Sequence, residues 1–266
     1  MSDPFEPFLA LWGLAPDGRP EGAKDVMFVR RGDERLVLKR LVAGDELRMA
    51  KVLTHWAGVG AVRCVAAAKG ALLMERALPG RQLLELFHAG REDEATGVFC
   101  DILSALRRPP PLGAFRTVEV WGEGFERVRE AGLAAGVEAT LIDAARALFA
   151  ELCASQGPRI LLHGDLHHYN IVEDARRGWL AIDPKGVLGE AAYDTGAWLR
   201  NPLDVVHDPA AIERRAAIIA GRLGLPRDRI LGWHFSQCVL SCLWGVEDGD
   251  FDPAWLGRAR VARTLV

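Results

Sequence analysis

The sequence has no apolar run approaching the ~18 residues that a membrane span needs, so no span is expected. It has no excess of basic charge. Lys and Arg number 33 against 36 Asp and Glu, a formal net charge of −3, which argues against nucleic acid as the main partner. Its five cysteines include no CxxC pair; Cys238 and Cys242, four apart on one helix face, read as buried free thiols. Internal repeats and low-complexity tracts are absent. The opening MSDPFEPF is acidic and broken by proline, unlike a signal peptide, and the chain is expected in the cytoplasm. What is present is a 266-residue sequence that is 50% apolar, enough for a large core in one domain or two lobes.

The most informative stretch is Ile160–Asn201. It holds His163, Gly164, Asp165 and Asn170 in the pattern HGDxxxxN, and thirteen residues after Asn170 comes Asp183. Two short apolar runs, Ile171–Val172 and Trp179–Ile182, flank the polar stretch EDARRG, which reads as a hairpin turn. Closing that hairpin brings Asn170 beside Asp183, two oxygen ligands facing one point. Mg²⁺ takes few hard oxygen ligands and completes its octahedron with phosphates and waters. Asp165, on the loop before, is free to reach a hydroxyl held near the metal. These are the parts of a phosphoryl-transfer site. His163, Asp165, His167 and His168 could instead ligate zinc, as in a hydrolase, but that leaves Asn170 and the Asp183 hairpin unexplained.

Elsewhere, VMFVRR and RLVLKRLV around Gly32-Asp33 predict a hairpin over 26–42, with Lys39 inside its second strand, facing either solvent or phosphate. Asp45 can cap a following helix in which Leu47, Ala50, Leu53 and Trp56 recur and which Gly58 stops. Glu46 then sits in the first turn, favourable to the helix dipole or placed to hold Lys39. ALLMERALPG (71–80) reads as a buried strand ending in a Pro-Gly break that connects two lobes. Helices are expected over 91–107, 137–156, 209–223 (Asp208 cap, Pro209 first) and 227–244.

HGDLHHYN (163–170), WLAIDPKG (179–186), DELR (45–48), GAVR (60–63) and the C-terminal helices together resemble the aminoglycoside phosphotransferases, closest to the streptomycin 6-phosphotransferase and hydroxyurea phosphotransferase group. The likeness covers nearly the whole chain. It implies an α+β, protein-kinase-like two-lobe fold: a small antiparallel-sheet lobe with one helix (1–76), a hinge (77–80) and a larger, mainly helical lobe (81–266). It implies ATP and Mg²⁺, with Asp165 as catalytic base and Asn170 and Asp183 as metal ligands. Lys39 would pair the α/β-phosphates, held by Glu46, and backbone groups of Glu75 and Ala77 would meet adenine. His163 and Asp194 would brace the catalytic loop. The phosphate-covering loop would lie over 18–26, and Lys185 would approach a phosphate or sit at the surface. The implied acceptor is a hydroxyl of a small cationic molecule, above all the 6-hydroxyl of streptomycin. Tyr169 would border it, and the acidic stretch Glu247, Asp248, Asp250 and Asp252 would bind its guanidinium groups or stand as a solvated loop. Alternatives are a kinase of another small hydroxyl, hydroxyurea or a metabolite, and a non-catalytic nucleotide-binding pseudokinase. The joint presence of Lys39, Asp165, Asn170 and Asp183 weighs against the last.

Overall fold

The structure is a computed structural model that describes residues 3–41, 46–113, 115–133, 136–205 and 208–266, without the side chains of residues 46 and 47. The expected Asp45 cap and the Glu46 carboxylate therefore lie outside the described residues. Helix α1 (Glu6–Trp12) starts at a proline turn and leads into β1 (Ala15–Pro16). The predicted hairpin follows as β2 (Val26–Arg31) and β3 (Glu34–Arg40), turning at Gly32 with φ 59°. Helix α2 (Glu46–Trp56), β4 (Cys64–Ala68) and β5 (Ala71–Glu75) complete a five-stranded antiparallel sheet in the order β1-β2-β3-β5-β4.

Period two decides what each face of this sheet does. Met27, Val29, Leu36 and Leu38 point to one side and join Phe5, Ala71 and Leu73 in one cluster. Val37 and Lys39 consequently face the other way, toward the rest of the chain. β5 is buried on both faces, with Leu72 and Met74 in the second cluster, which is why its sequence is continuously apolar rather than alternating. On α2 the buried stripe is Met49, Val52, Leu53 and Trp56; Leu53 and Trp56 are buried as expected, Ala50 is half-buried, and the Leu47 side chain lies outside the described residues.

After β5 the chain passes Ala77 and a cis Leu78–Pro79 bond into β6 (Pro79–Gln82), which joins a different sheet. Helices then dominate: α3 (Leu84–His88), α4 (Glu92–Leu106), β7 (Arg116–Thr117), α5 (Val118–Glu130) and α6 (Ala139–Ala154). Next come β8 (Ile160–Leu162), β9 (Ile171–Asp174), β10 (Gly178–Ala181) and β11 (Val187–Gly189), which form two small sheets with β6 and β7. The chain finishes with α7 (Tyr193–Arg200), α8 (Pro209–Leu223), α9 (Arg227–Glu247) and α10 (Pro253–Arg263). The architecture is α+β, a sheet-rich small lobe followed by a mainly helical large one. The Asp208 carboxylate caps α8 by accepting from the Ala211 N–H at 2.7 Å, as its sequence predicts. Helix α9 is buried nearly all round and forms the axis against which α5, α6, α7 and α10 pack.

Helix α5 is not legible as a helix, because Gly122 and Gly124 interrupt it. Both glycines serve packing. A Cβ on Gly124 would stand 2.9 Å from Leu240 Cδ1 and from Trp244 Nε1; one on Gly122 would overlap the Phe149 ring, 2.9 Å from its Cδ1. Propensity alone would make Gly122→Ala stabilising by up to ~1 kcal/mol, but overpacking costs about 1–3 kcal/mol. Gly122→Ala should therefore lower the midpoint of urea unfolding; an unchanged or raised midpoint would show that Phe149 moves aside freely.

Candidate active site

Strand β8 delivers the HGD loop into the space between the small sheets, and Asp194 holds it there. Its carboxylate, on the first turn of α7, accepts the backbone N–H groups of His163 (2.9 Å) and Gly164 (2.7 Å). Burial pushes that carboxyl up to about 7, against the pull of these two donors. The His163 ring is buried and stacked on Trp56, with centroids 6.1 Å apart. Its Nε2–H donates to the Ile182 carbonyl (2.8 Å), and its Nδ1 accepts the Asp165 N–H (3.2 Å). Burial lowers its value to about 4, so the ring is neutral. Gly164 has φ +83° and lets Trp121 of α5 close onto the loop; a Cβ there would stand 2.7 Å from Trp121 Cη2.

Asp165 emerges from this support onto the wall of a cleft of ≈ 800 Å³, with Gly164, His167, Lys185 and Arg200. Its Oδ1 lies 3.3 Å from His167 Nε2 and 3.6 Å from Arg200 Nη2. Burial would raise this carboxyl, but the His167 hydrogen bond and the charges of His167, Arg200 and Lys185 prevail and hold it well below the usual carboxylate range. The Asn170 amide donates from Nδ2 to the Asp165 carbonyl (2.9 Å), which turns Oδ1 the other way.

The EDARRG hairpin forms as predicted. Asp174 makes its turn by accepting the Arg176 and Arg177 N–H groups, both at 3.0 Å. Across the hairpin's open end the Ile182 N–H donates to the Asn170 carbonyl (2.9 Å), so Asn170 and Asp183 start from one fixed point. Asp183 has φ +61°, a left-handed conformation uncommon for any residue but glycine. Its Oδ1 is hydrogen-bonded to Lys39, 144 residues earlier, and its Oδ2 lies 3.4 Å from Lys185 Nζ. Burial works to raise the carboxyl, yet Lys185 and Lys39 hold it below its ordinary value. A carboxylate and an amide oxygen are hard donors of the kind Mg²⁺ takes, so Asp183 and Asn170 are the residues here that could hold one. The four suggested zinc donors do not converge: His163 is bonded to a carbonyl, and His168 stacks on Trp198 at 3.7 Å.

Other expected contacts are distributed differently. The Glu75 N–H donates to the Arg63 carbonyl (3.0 Å) and its side chain pairs with Arg177, so that N–H is not available to a base. Ala77 is buried two residues on. The 18–26 loop joins β1 to β2 and is tied at Gly18, whose carbonyl accepts the Phe28 N–H (2.9 Å). Tyr169 turns its hydroxyl to Asp204 (3.3 Å) and is not among the cleft-lining residues. Glu247 is engaged by Arg127 at 2.9 and 3.2 Å, while Asp248 and Asp250 are exposed outside the cleft lining, and Asp252 caps α10. The cleft is walled instead by Trp121, Glu123, Arg127, Trp244 and Trp255, with Arg116 at one side. Sequence reasoning missed Trp121, Glu123, Arg127, Arg116 and Arg200. A lone arginine closing the apolar helix DTGAWLR is the signal that could have found Arg200.

Residues 11–249 match the family of aminoglycoside/hydroxyurea antibiotic resistance kinases. The chain belongs to that family. The kinase is 34% identical over 250 residues to a streptomycin 3''-kinase from Klebsiella pneumoniae, covering 90% of this chain and 91% of that one. It is 30% identical to a streptomycin 6-kinase from Streptomyces glaucescens, covering 97% and 88%. In structure it matches a thermostable aminoglycoside phosphotransferase in ternary complex with ADP and hygromycin B, with a TM-score of 0.74 over 99% of both chains at 14% identity. That likeness establishes the protein-kinase-like fold. Among the described residues no helix of this kinase is long and apolar enough to cross a membrane.

Proposed function

We propose that this kinase transfers the γ-phosphoryl group of ATP to a hydroxyl of streptomycin, the 6-hydroxyl, and so confers resistance from the cytoplasm. The observation that carries the reading is the placement of Asp165 on the wall of a large cleft, with Asn170, Asp183 and Lys39 linked behind it. The nucleotide would lie between the lobe of residues 1–76 and that of 81–266, its adenine along Glu75–Ala77 and its phosphates near Lys39. Asp183 and the Asn170 amide oxygen would hold Mg²⁺. When bound, Mg²⁺ supplies positive charge to the phosphate oxygens. Asp165 accepts a hydrogen bond from the acceptor hydroxyl, aims its oxygen at the phosphorus and takes its proton. Fixing that geometry is a large part of the rate.

The cleft argues for an antibiotic rather than hydroxyurea. A volume of ≈ 800 Å³ is near the upper end for drug-sized ligands, whereas hydroxyurea has a handful of heavy atoms. Arg127, the nearest competing cation on the α5 wall, is neutralised by Glu247. Glu123 lines the same cleft, within the field of Arg127, and is the carboxylate on the α5 wall that would meet a substrate guanidinium.

Incubated with ATP and Mg²⁺, streptomycin should gain one phosphate by mass spectrometry, at the 6-hydroxyl by ³¹P–¹H correlation, and kanamycin none. Transfer to the 3''-hydroxyl would correct the site of attack. Transfer to hydroxyurea or a metabolite alcohol, with none to streptomycin, would replace the acceptor.

A further inference from the structure

We propose that Lys185 is a catalytic residue of this kinase, its ammonium group set between Asp183 and Asp165 to neutralise the phosphoryl group in transit. The inference rests on the phosphotransferase reading above and adds a group to it. Lys185 belongs to both halves of the site. Its Nζ is 3.4 Å from Asp183 Oδ2, on the nucleotide side. Its side chain also lines the acceptor cleft with Asp165 and Gly164.

The backbone fixes this position. The Lys185 N–H donates to the His163 carbonyl at 2.7 Å, and the Gly186 N–H shares that acceptor at 3.3 Å. Gly186 then turns with φ +70° beneath α2, where an added Cβ would collide with the Val52 side chain. The stem of Lys185 packs on the HGD loop, its Cβ 3.3 Å from where a Cβ on Gly164 would be. Its charge also helps hold both carboxylates below their ordinary range.

Lys39 and Lys185 sit on opposite oxygens of Asp183 but are not equivalent. Lys39 is 13% exposed and closed into the small lobe, while Lys185 is 31% exposed and opens on the cleft. A lysine there only to balance Asp183 would duplicate Lys39; one that reaches the cleft can follow the moving charge. In the transfer, the acceptor oxygen forms a bond to the γ-phosphorus. The bond from that phosphorus to the bridging oxygen breaks, its electron pair leaving with ADP, and the hydroxyl proton passes to Asp165. Lys185 keeps its protons and contributes charge alone, at the point where charge spreads over the transferred oxygens.

The test is calorimetric and independent of the acceptor's identity. Mg-ADP is compared with Mg-ADP plus aluminium fluoride, which mimics the transferring group. In Lys185→Met the fluoride complex should weaken by about 10²–10³-fold, the loss typical of one transition-state donor, while Mg-ADP stays within a few fold of wild type. With streptomycin, kcat should fall in parallel while KM for Mg-ATP moves little, and Lys185→Arg should recover part of the loss. Equal weakening of both ligands would make Lys185 a mere support for Asp183, and no weakening of either would remove it from the site; both overturn the proposal. Thermal unfolding of Lys185→Met, with Lys185→Gln as a second variant, separates misfolding from these outcomes. Failure of streptomycin as acceptor leaves the ADP comparison intact. Wild type that binds no Mg-ADP would overturn both readings.

Discussion

Asp165→Asn should lower kcat on streptomycin by about 10²–10⁴-fold, the usual contribution of a positioned base, and leave Mg-ATP affinity nearly unchanged. The substitution is isosteric, and an amide oxygen can still accept from His167 Nε2–H, which lies 3.3 Å from Asp165 Oδ1. Folding should therefore survive, and the loss is chemical. The carboxylate acts on the acceptor, not on ATP, so isothermal titration with Mg-ATP should not distinguish variant from wild type. The depressed carboxyl adds a pH signature. Burial raises its value, but His167, Arg200 and Lys185 more than offset that, so the group stays ionised well below the ordinary carboxylate range. Acidification to about pH 4, where an ordinary aspartate with a value near 3.9 would be about half protonated, should then cost no activity through Asp165. So weak a base takes its proton late, consistent with a loose transition state in which orienting the hydroxyl matters more than pulling on it. A variant retaining more than about a tenth of wild-type kcat would remove Asp165 from this role.

The core of the candidate site was legible because it is local. Asn170, the EDARRG turn and Asp183 lie within one hairpin, and strand periodicity with turn chemistry was enough to bring them together. The sheet of the small lobe was legible for the same reason. What escaped depends on partners far along the chain. Glu247 reads as a free carboxylate for substrate until Arg127, 120 residues away, is placed against it. Asp248 and Asp250 follow the end of α9, where charge density does not reveal direction, and they point to solvent. The α5 wall was hidden by two glycines whose purpose, admitting Phe149 and Trp244, exists only in the folded packing. Lys39 was placed correctly on its strand, but its pairing with Asp183 spans 144 residues and has no sequence signal.

The largest effect on stability is expected at Asp194. Asp194→Ala strands the two buried N–H groups of His163 and Gly164. At about 1–3 kcal/mol each, the loss should be about 2–6 kcal/mol, set against a total that is commonly only about 5–15. Asp194→Asn keeps an acceptor, should cost less, and isolates a protonic effect. The Asp194 carboxyl is raised from 3.8 to about 7 by burial, so its contribution is full below the unfolded value and lost as pH rises through 7. His163 is lowered from 6.5 to about 4 by burial, so its contribution is full above 6.5 and lost as pH falls through 4. Between pH 4 and 6.5 the two oppose each other, so together they leave the wild-type profile shallow. Removing the titration of Asp194 uncovers that of His163. Asp194→Asn should lose up to about 3 kcal/mol more than wild type on going from pH 6.5 to 4, the equivalent of the His163 displacement at 1.36 kcal/mol per unit. Urea unfolding of wild type and both variants at several pH values would show it. Parallel stability profiles for wild type and Asp194→Asn across that range would mean that Asp194 stays ionised on its two backbone donors, with burial outweighed.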